Sequence, residues 1–181
     1  MKSKVEDLIE RERTGAYEVH GDSNDAQCVI AFSFGYGNDA GKNVPGVSNL
    51  DMAEFIKDNY PNLPKIMQFE IADALEQTGE VLRIEKHREA GIYLNSLEVA
   101  RQAKEIMDKK KWESAIIIAH PNHVPRVDAI CKKIGIKTIT PKGLNSIRFD
   151  PESEQEWTRS KELWIEKEIK SINWHAENGW I

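Results

Sequence analysis

Cysteine is nearly absent. Two occur in 181 residues, Cys28 and Cys131, and no CxxC is present, so neither a disulfide framework nor a thiolate zinc knuckle is expected. Cys28 sits in the apolar run CVIAF. Cys131 falls on the stripe Val124, Val127, Cys131, Ile134, the spacing of a buried helix face, so both read as buried thiols. Long hydrophobic runs are missing too: the longest, around Ala115–Ala119, is only strand-sized, which excludes a membrane span. The first residues, MKSKVEDLIERER, mix acidic with basic side chains and lead into no apolar stretch. They read as neither signal peptide nor anchor. Excess positive charge is lacking as well. With 25 Lys and Arg against 30 Asp and Glu, the net charge is −5 and the pI is near 5.6. That argues against broad, phosphate-driven binding to nucleic acid, though not against one local anion site. These absences predict a soluble cytoplasmic protein whose partners are neither nucleic acid nor membrane.

What is present is enough for a core. Forty per cent of the residues are hydrophobic, and the length suits one domain over residues 1–181. Strand and helix patterns alternate. Strands are predicted over 27–34, 65–69, 81–85, 114–119 and 136–139. Helices are predicted over 48–59, 71–77, 95–111 and 122–134, with a short amphipathic one over 5–13. Ser48 with Asp51, and Asn95 with Glu98, each read as a capping box. Asp150-Pro151-Glu152 reads as the start of a C-terminal helix over 151–172, with proline in the first turn. Its tryptophan-bearing faces are expected to pack on the sheet or on a partner subunit. The alternation implies an α/β three-layer sandwich around a mostly parallel five-stranded sheet with an added C-terminal helix; if the strand order is the common 3-2-1-4-5, the loops after the first and fourth strands flank one crevice.

In such sheets ligands collect beyond the carboxyl ends of the strands, where the strand order reverses. Two unusual segments fall there. The first strand is followed by GYGNDAGKNVPG, and the fourth by HPNHVPR. The glycine loop is not a P-loop, because Tyr36 stands five residues before Gly41 and Asn43 follows Lys42. Gly35-Tyr36-Gly37-Asn38-Asp39-Ala40 nearly fits the dinucleotide fingerprint, but the helix begins too late for it. What remains is a turn whose backbone amides can approach a polar or anionic ligand, drawn from Gly35, Tyr36, Gly37 and Asn38.

The second segment is more specific. His123 lies in the first helical turn, where the dipole disfavours imidazolium, so a neutral ring can relay a proton near pH 7. Arg126, three residues on, shares its face and can clamp a carboxylate or phosphate. His120 and Asn122 flank them. His120 and His123 form an H-x-x-H pair with no matching Glu and with Pro121 inside it, a poor zinc signature, so no metal is expected. Taken alone, Asn95-Ser96-Leu97-Glu98 is structural, a helix start.

The stretches Ile116–Arg126, ending His120-Pro121-Asn122-His123-Val124-Pro125-Arg126, and Asn95-Ser96-Leu97-Glu98, with the turn Phe34-Gly35-Tyr36-Gly37, resemble the YdcF-like domain family (the SanA/ElyC/YdcF group) over residues 27–140. Ser96 stands where that family usually has threonine, and Phe69-Glu70-Ile71 where it has a glycine pair. The resemblance implies a Rossmann-like fold and a polar pocket lined by the first-strand turn, by Asn95, Ser96 and Glu98, and by His123 and Arg126. It also implies a nucleotide or S-adenosylmethionine-type ligand.

The function expected from these residues is binding of an anionic small molecule, with hydrolase or group-transfer chemistry. Arg126 and the loop amides would hold the anion, His123 would move a proton, and Glu98 would orient a hydroxyl or water. A non-catalytic binding or regulatory module is the alternative. A third reading makes the tryptophan-rich C-terminal helix an interaction surface, including one that forms a homodimer.

Overall fold

Residues 3–75 and 79–181 are described by a computed structural model. Along the chain lie α1 (Lys4–Thr14), β1 (Cys28–Ala31), β2 (Gly37–Asp39), β3 (Lys42–Val44) and α2 (Val47–Asn59). Then come β4 (Lys65–Gln68), α3 (Phe69–Ala74), β5 (Val81–Ile84), α4 (Ser96–Lys110), β6 (Ser114–Ile118), α5 (Val124–Lys133), β7 (Lys137–Ile139) and α6 (Lys161–Glu177). The most apolar segments lie innermost. Every residue of β1 and of β6 is buried, as strands covered by helices on both faces must be.

The main sheet runs β5-β4-β1-β6-β7, all parallel, which is the common 3-2-1-4-5 order once the small β2–β3 hairpin is set aside. Ala31 pairs with both Met67 and Ile118, so the ends of β1, β4 and β6 fall at one level. The direction of travel reverses between β1 and β6. α2 touches α3, α4 touches α5, and α1 lies on α5 and α6. The fold is a Rossmann-like three-layer α/β sandwich with a C-terminal helix. Both cysteines are free and buried, and burial pushes the Cys28 thiol up to about 12.

Several element boundaries differ from the sequence reading: the first strand ends at Ala31 instead of 34, and Phe69 starts α3 instead of ending a strand. Ser48 and Asp51 do not cap a helix. α2 begins at Val47, and the Ser48 hydroxyl, buried inside the first turn, donates to the Arg148 carbonyl at 2.6 Å. Asp51 accepts from the Arg148 backbone N–H and guanidinium at 2.7–2.9 Å. The cap comes from elsewhere: Asp150 Oδ2 accepts the Val47 N–H at 3.0 Å. Asp150-Pro151-Glu152 is therefore a turn, not a helix start, and Asp150 Oδ1 also accepts the Glu152 N–H at 3.1 Å. The C-terminal helix is displaced from 151–172 to Lys161–Glu177, where Ser160 accepts the Leu163 N–H as N-cap. The helix expected over 71–77 is observed as α3, and positions 76–77 lie outside the described residues.

Candidate functional site

Beyond the ends of β1 and β4 the backbone is held by side-chain amides. Gln68 Oε1 accepts the Ser33 N–H at 2.9 Å. Asn49 of α2 accepts the Phe34 N–H at 3.0 Å and donates to the Gly35 carbonyl at 2.7 Å. Gly35 takes φ +73°, and a Cβ there would lie 2.4 Å from Thr158 Oγ1 and 2.5 Å from Ser153 Oγ. Only glycine lets segment 153–158 close over this turn.

A cavity of about 360 Å³ opens there. One side is Ser33, Phe34, Gly35 and Gln68 from the strand ends. The starts of α4 and α5 supply Asn95, Ser96, His123 and Arg126. The opposite wall is Trp157 and Thr158 with the α6 residues Trp164, Lys167, Glu168, Ser171 and His175. Five of the residues singled out in the sequence are thus brought together: Gly35, Asn95, Ser96, His123 and Arg126.

The others lie off the cavity. Tyr36 is held through its backbone to Ser153 and Glu154. Gly37 and Asn38 belong to the β2–β3 hairpin, whose turn has positive φ at Ala40 and Gly41, and Asn38 Oδ1 accepts the Gly41 N–H at 2.9 Å. Glu98 gives one half of the expected capping box, its N–H donating to Asn95 Oδ1 at 3.0 Å. Its carboxylate turns away, to Arg88 at 2.6 and 3.1 Å and to Gln102 at 2.9 Å. The Arg88 guanidinium holds that carboxyl down to about 2. His120 is buried between Phe34 and Phe149, with ring centroids at 4.1 and 4.2 Å. Asn122 faces α1 and α6, donating to the Glu12 carbonyl and accepting from Trp164 Nε1, both at 3.1 Å.

Within the cavity His123 Nε2 lies 2.9 Å from Ser96 Oγ. The ring is buried, and its Nδ1 has no partner among the described residues. Burial, then the Arg126 charge, holds His123 well below the usual imidazole range, so it is neutral at pH 7. Arg126 donates from Nε to Glu168, and both side chains are buried. Glu12 of α1 lies close by, taking the Trp164 Nε1–H at 3.3 Å. Burial and the Glu168 charge raise the Glu12 carboxyl well above the usual range. Burial also raises Glu168, against the pull of Arg126. His175 completes the group, pushed down to about 4 by burial and by Arg126.

The α6 wall was missed by the sequence reading. Its signal was available: Trp164, Lys167, Glu168, Ser171 and His175 repeat at helical spacing, a polar stripe inside a helix noticed only for its apolar residues. Burial raises the carboxyl of Glu70, in the first turn of α3.

No family model, curated protein or solved structure matches the chain. Among the described residues no helix is long and apolar enough to cross a membrane. Among those residues, too, no group of three His, Cys, Asp or Glu side chains could hold a metal ion.

Proposed function

We propose that the cleft binds one small molecule, either an anionic nucleotide-like one or an S-adenosylmethionine-like one, and that His123 moves a proton on it. The observation that carries this reading is the neutral, buried His123 hydrogen-bonded to Ser96 inside a cavity at the strand-order reversal. Two helices begin at that cavity, and their first-turn amides favour negative charge. Lys167 adds a cation, 5.4 Å from the Trp157 ring, and the tryptophans offer faces for a planar base. A cavity of about 360 Å³ is at the small end of the ~300–1,000 Å³ range of ligand sites. It suits a single small molecule better than an extended dinucleotide. The likeness to YdcF-like domains leads to the same ligand classes, and the scarcity of cysteine suits a cytoplasmic setting.

Mass spectrometry of whatever small molecule co-purifies, followed by thermal melting with nucleotides and S-adenosyl compounds, tests the binding. A ligand-dependent rise in Tm supports it; no shift with either class removes it. His123→Ala should then abolish turnover of the ligand while the fold and the Tm shift persist.

A non-catalytic binding module is favoured by one observation. Two of the three side chains expected to work on the ligand are occupied, Arg126 by Glu168 and Glu98 by Arg88. Ligand-dependent melting with no product formed would decide for that reading.

A further inference from the structure

We infer that Ser96 is a nucleophile, activated by His123, for acyl transfer from a small carboxylic ester bound in the cleft. This rests on the reading that His123 moves protons there, and it adds a covalent step. Neither side chain is needed to start its helix. Asn95 already caps α4, accepting the Glu98 N–H, which leaves the Ser96 hydroxyl free of that duty. His123 occupies the N-cap position of α5 yet makes no side-chain cap hydrogen bond. What the two do instead is meet each other at 2.9 Å, on the cavity surface, across two separate helix starts. His123 is 4% exposed, and its Nδ1 is unpartnered among the described residues. A serine within hydrogen-bond reach of a buried neutral imidazole is the arrangement that nucleophilic catalysis requires.

The surroundings select the chemistry. The amide following the serine, that of Leu97, is one of the first-turn N–H groups with no acceptor inside the helix. In serine hydrolases, an amide directly after the nucleophile stabilises the oxyanion. Arg126 and Glu168 neutralise one another, and Phe34, Trp157 and Trp164 present apolar surface. An uncharged acyl group fits against those rings, with the anionic part of the ligand on the alcohol side.

The step balances without a co-reactant other than water. Ser96 Oγ bonds to the ester carbonyl carbon as its proton passes to His123 Nε2. The carbon–alkoxide bond then breaks, and the proton goes from Nε2 to the departing oxygen, leaving acyl-Ser96. Water attacks that ester, giving its proton to Nε2. The acid departs and Ser96 recovers its hydroxyl proton. No carboxylate supports Nδ1 among the described residues. Because such a carboxylate is worth about 10⁴-fold in a complete triad, turnover should be slow and the acyl-enzyme long-lived.

The test treats the full chain with a fluorophosphonate probe and maps the adduct by peptide mass spectrometry. The expected result is one adduct per chain, on Ser96, absent in S96A and formed about 100-fold or more slowly in H123Q. Circular dichroism melting confirms that both variants are folded. An unlabelled Ser96 in the wild-type chain overturns the inference, as does labelling at equal rate in folded H123Q. The two readings fail separately. A nucleotide or S-adenosyl Tm shift without labelling removes the nucleophile and keeps the binding site. Labelling of Ser96 without any such shift keeps the nucleophile and removes the proposed ligand classes.

Discussion

Arg126 and Glu168 hold each other in the interior, the guanidinium Nε–H on the carboxylate, with side chains 7% and 1% exposed. One comes from the first turn of α5 and the other from the middle of α6, so this pair fastens the C-terminal helix to the cleft. Breaking a buried pair from one side costs about 3–5 kcal/mol, because the remaining charge has no counterion.

Here a substitute is at hand, and the loss should be smaller. Burial and the Glu168 charge raise the Glu12 carboxyl well above the usual range. Glu168→Gln removes one of those causes and lets Glu12 ionise beside Arg126. We expect Glu168→Gln to cost about 2 kcal/mol, below the full cost of a broken buried pair. The E12Q/E168Q double variant should lose at least about 1 kcal/mol more than the two single losses summed. Urea unfolding of the four chains measures this, and simple additivity would show that Glu12 gives no such support.

Gly35→Ala should distort the site from the opposite direction. The new methyl would press on Thr158 Oγ1 and Ser153 Oγ while forcing alanine into φ +73°. Overpacking and the left-handed backbone together cost at least about 2 kcal/mol. The displaced segment carries Trp157, so tryptophan fluorescence should change along with the urea midpoint. An unchanged midpoint would mean the closure over Gly35 is looser than described.

Acid should reveal His120. Burial, only partly offset by the Asp51 charge, pushes it down to about 3, whereas an unfolded histidine takes up a proton near 6.5. Between those values the unfolded chain binds the extra proton, so this residue's contribution is complete above pH 6.5 and drains away as pH falls. Whatever His120→Phe costs at pH 7.5, the wild type should lose ground to it by up to about 1.4 kcal/mol per pH unit on acidification. A pH-independent difference between the two chains would contradict a buried neutral His120.

Asp150→Ala should fray the start of α2, from the far end of the sequence. It deletes the acceptor of the Val47 N–H, a capping interaction worth about 1–2 kcal/mol. Hydrogen exchange at Val47 should quicken more than at Ile56, deeper in the same helix. Equal protection at both sites would locate the cap elsewhere.

The alternation of strands and helices was legible because the central strands are short apolar runs and most crossovers carry a helix with periodic apolar residues. Gly35, His123 and Arg126 were legible as well, since position after a strand fixes which end of the sheet a residue occupies, whereas Ser96, read from the residues alone, was only part of a helix start. Asp150 misled: an aspartate before Pro151 looks the same in sequence whether it caps the next helix or one a hundred residues earlier. Glu98 misled similarly, because spacing places its backbone at a helix start but cannot show that Arg88 draws the carboxylate away. The α6 wall was hidden for a third reason. Its alignment with the strand ends is a long-range contact that helical periodicity does not encode.

That wall has a temporal consequence. Synthesis runs from the amino end, so Ser96, His123 and Arg126 all leave the ribosome before Glu168 and His175 exist. A growing chain can assemble the sheet while its recess still stands open on one flank. Closing that flank of the recess is therefore left to α6, the last helix of the described chain to be made.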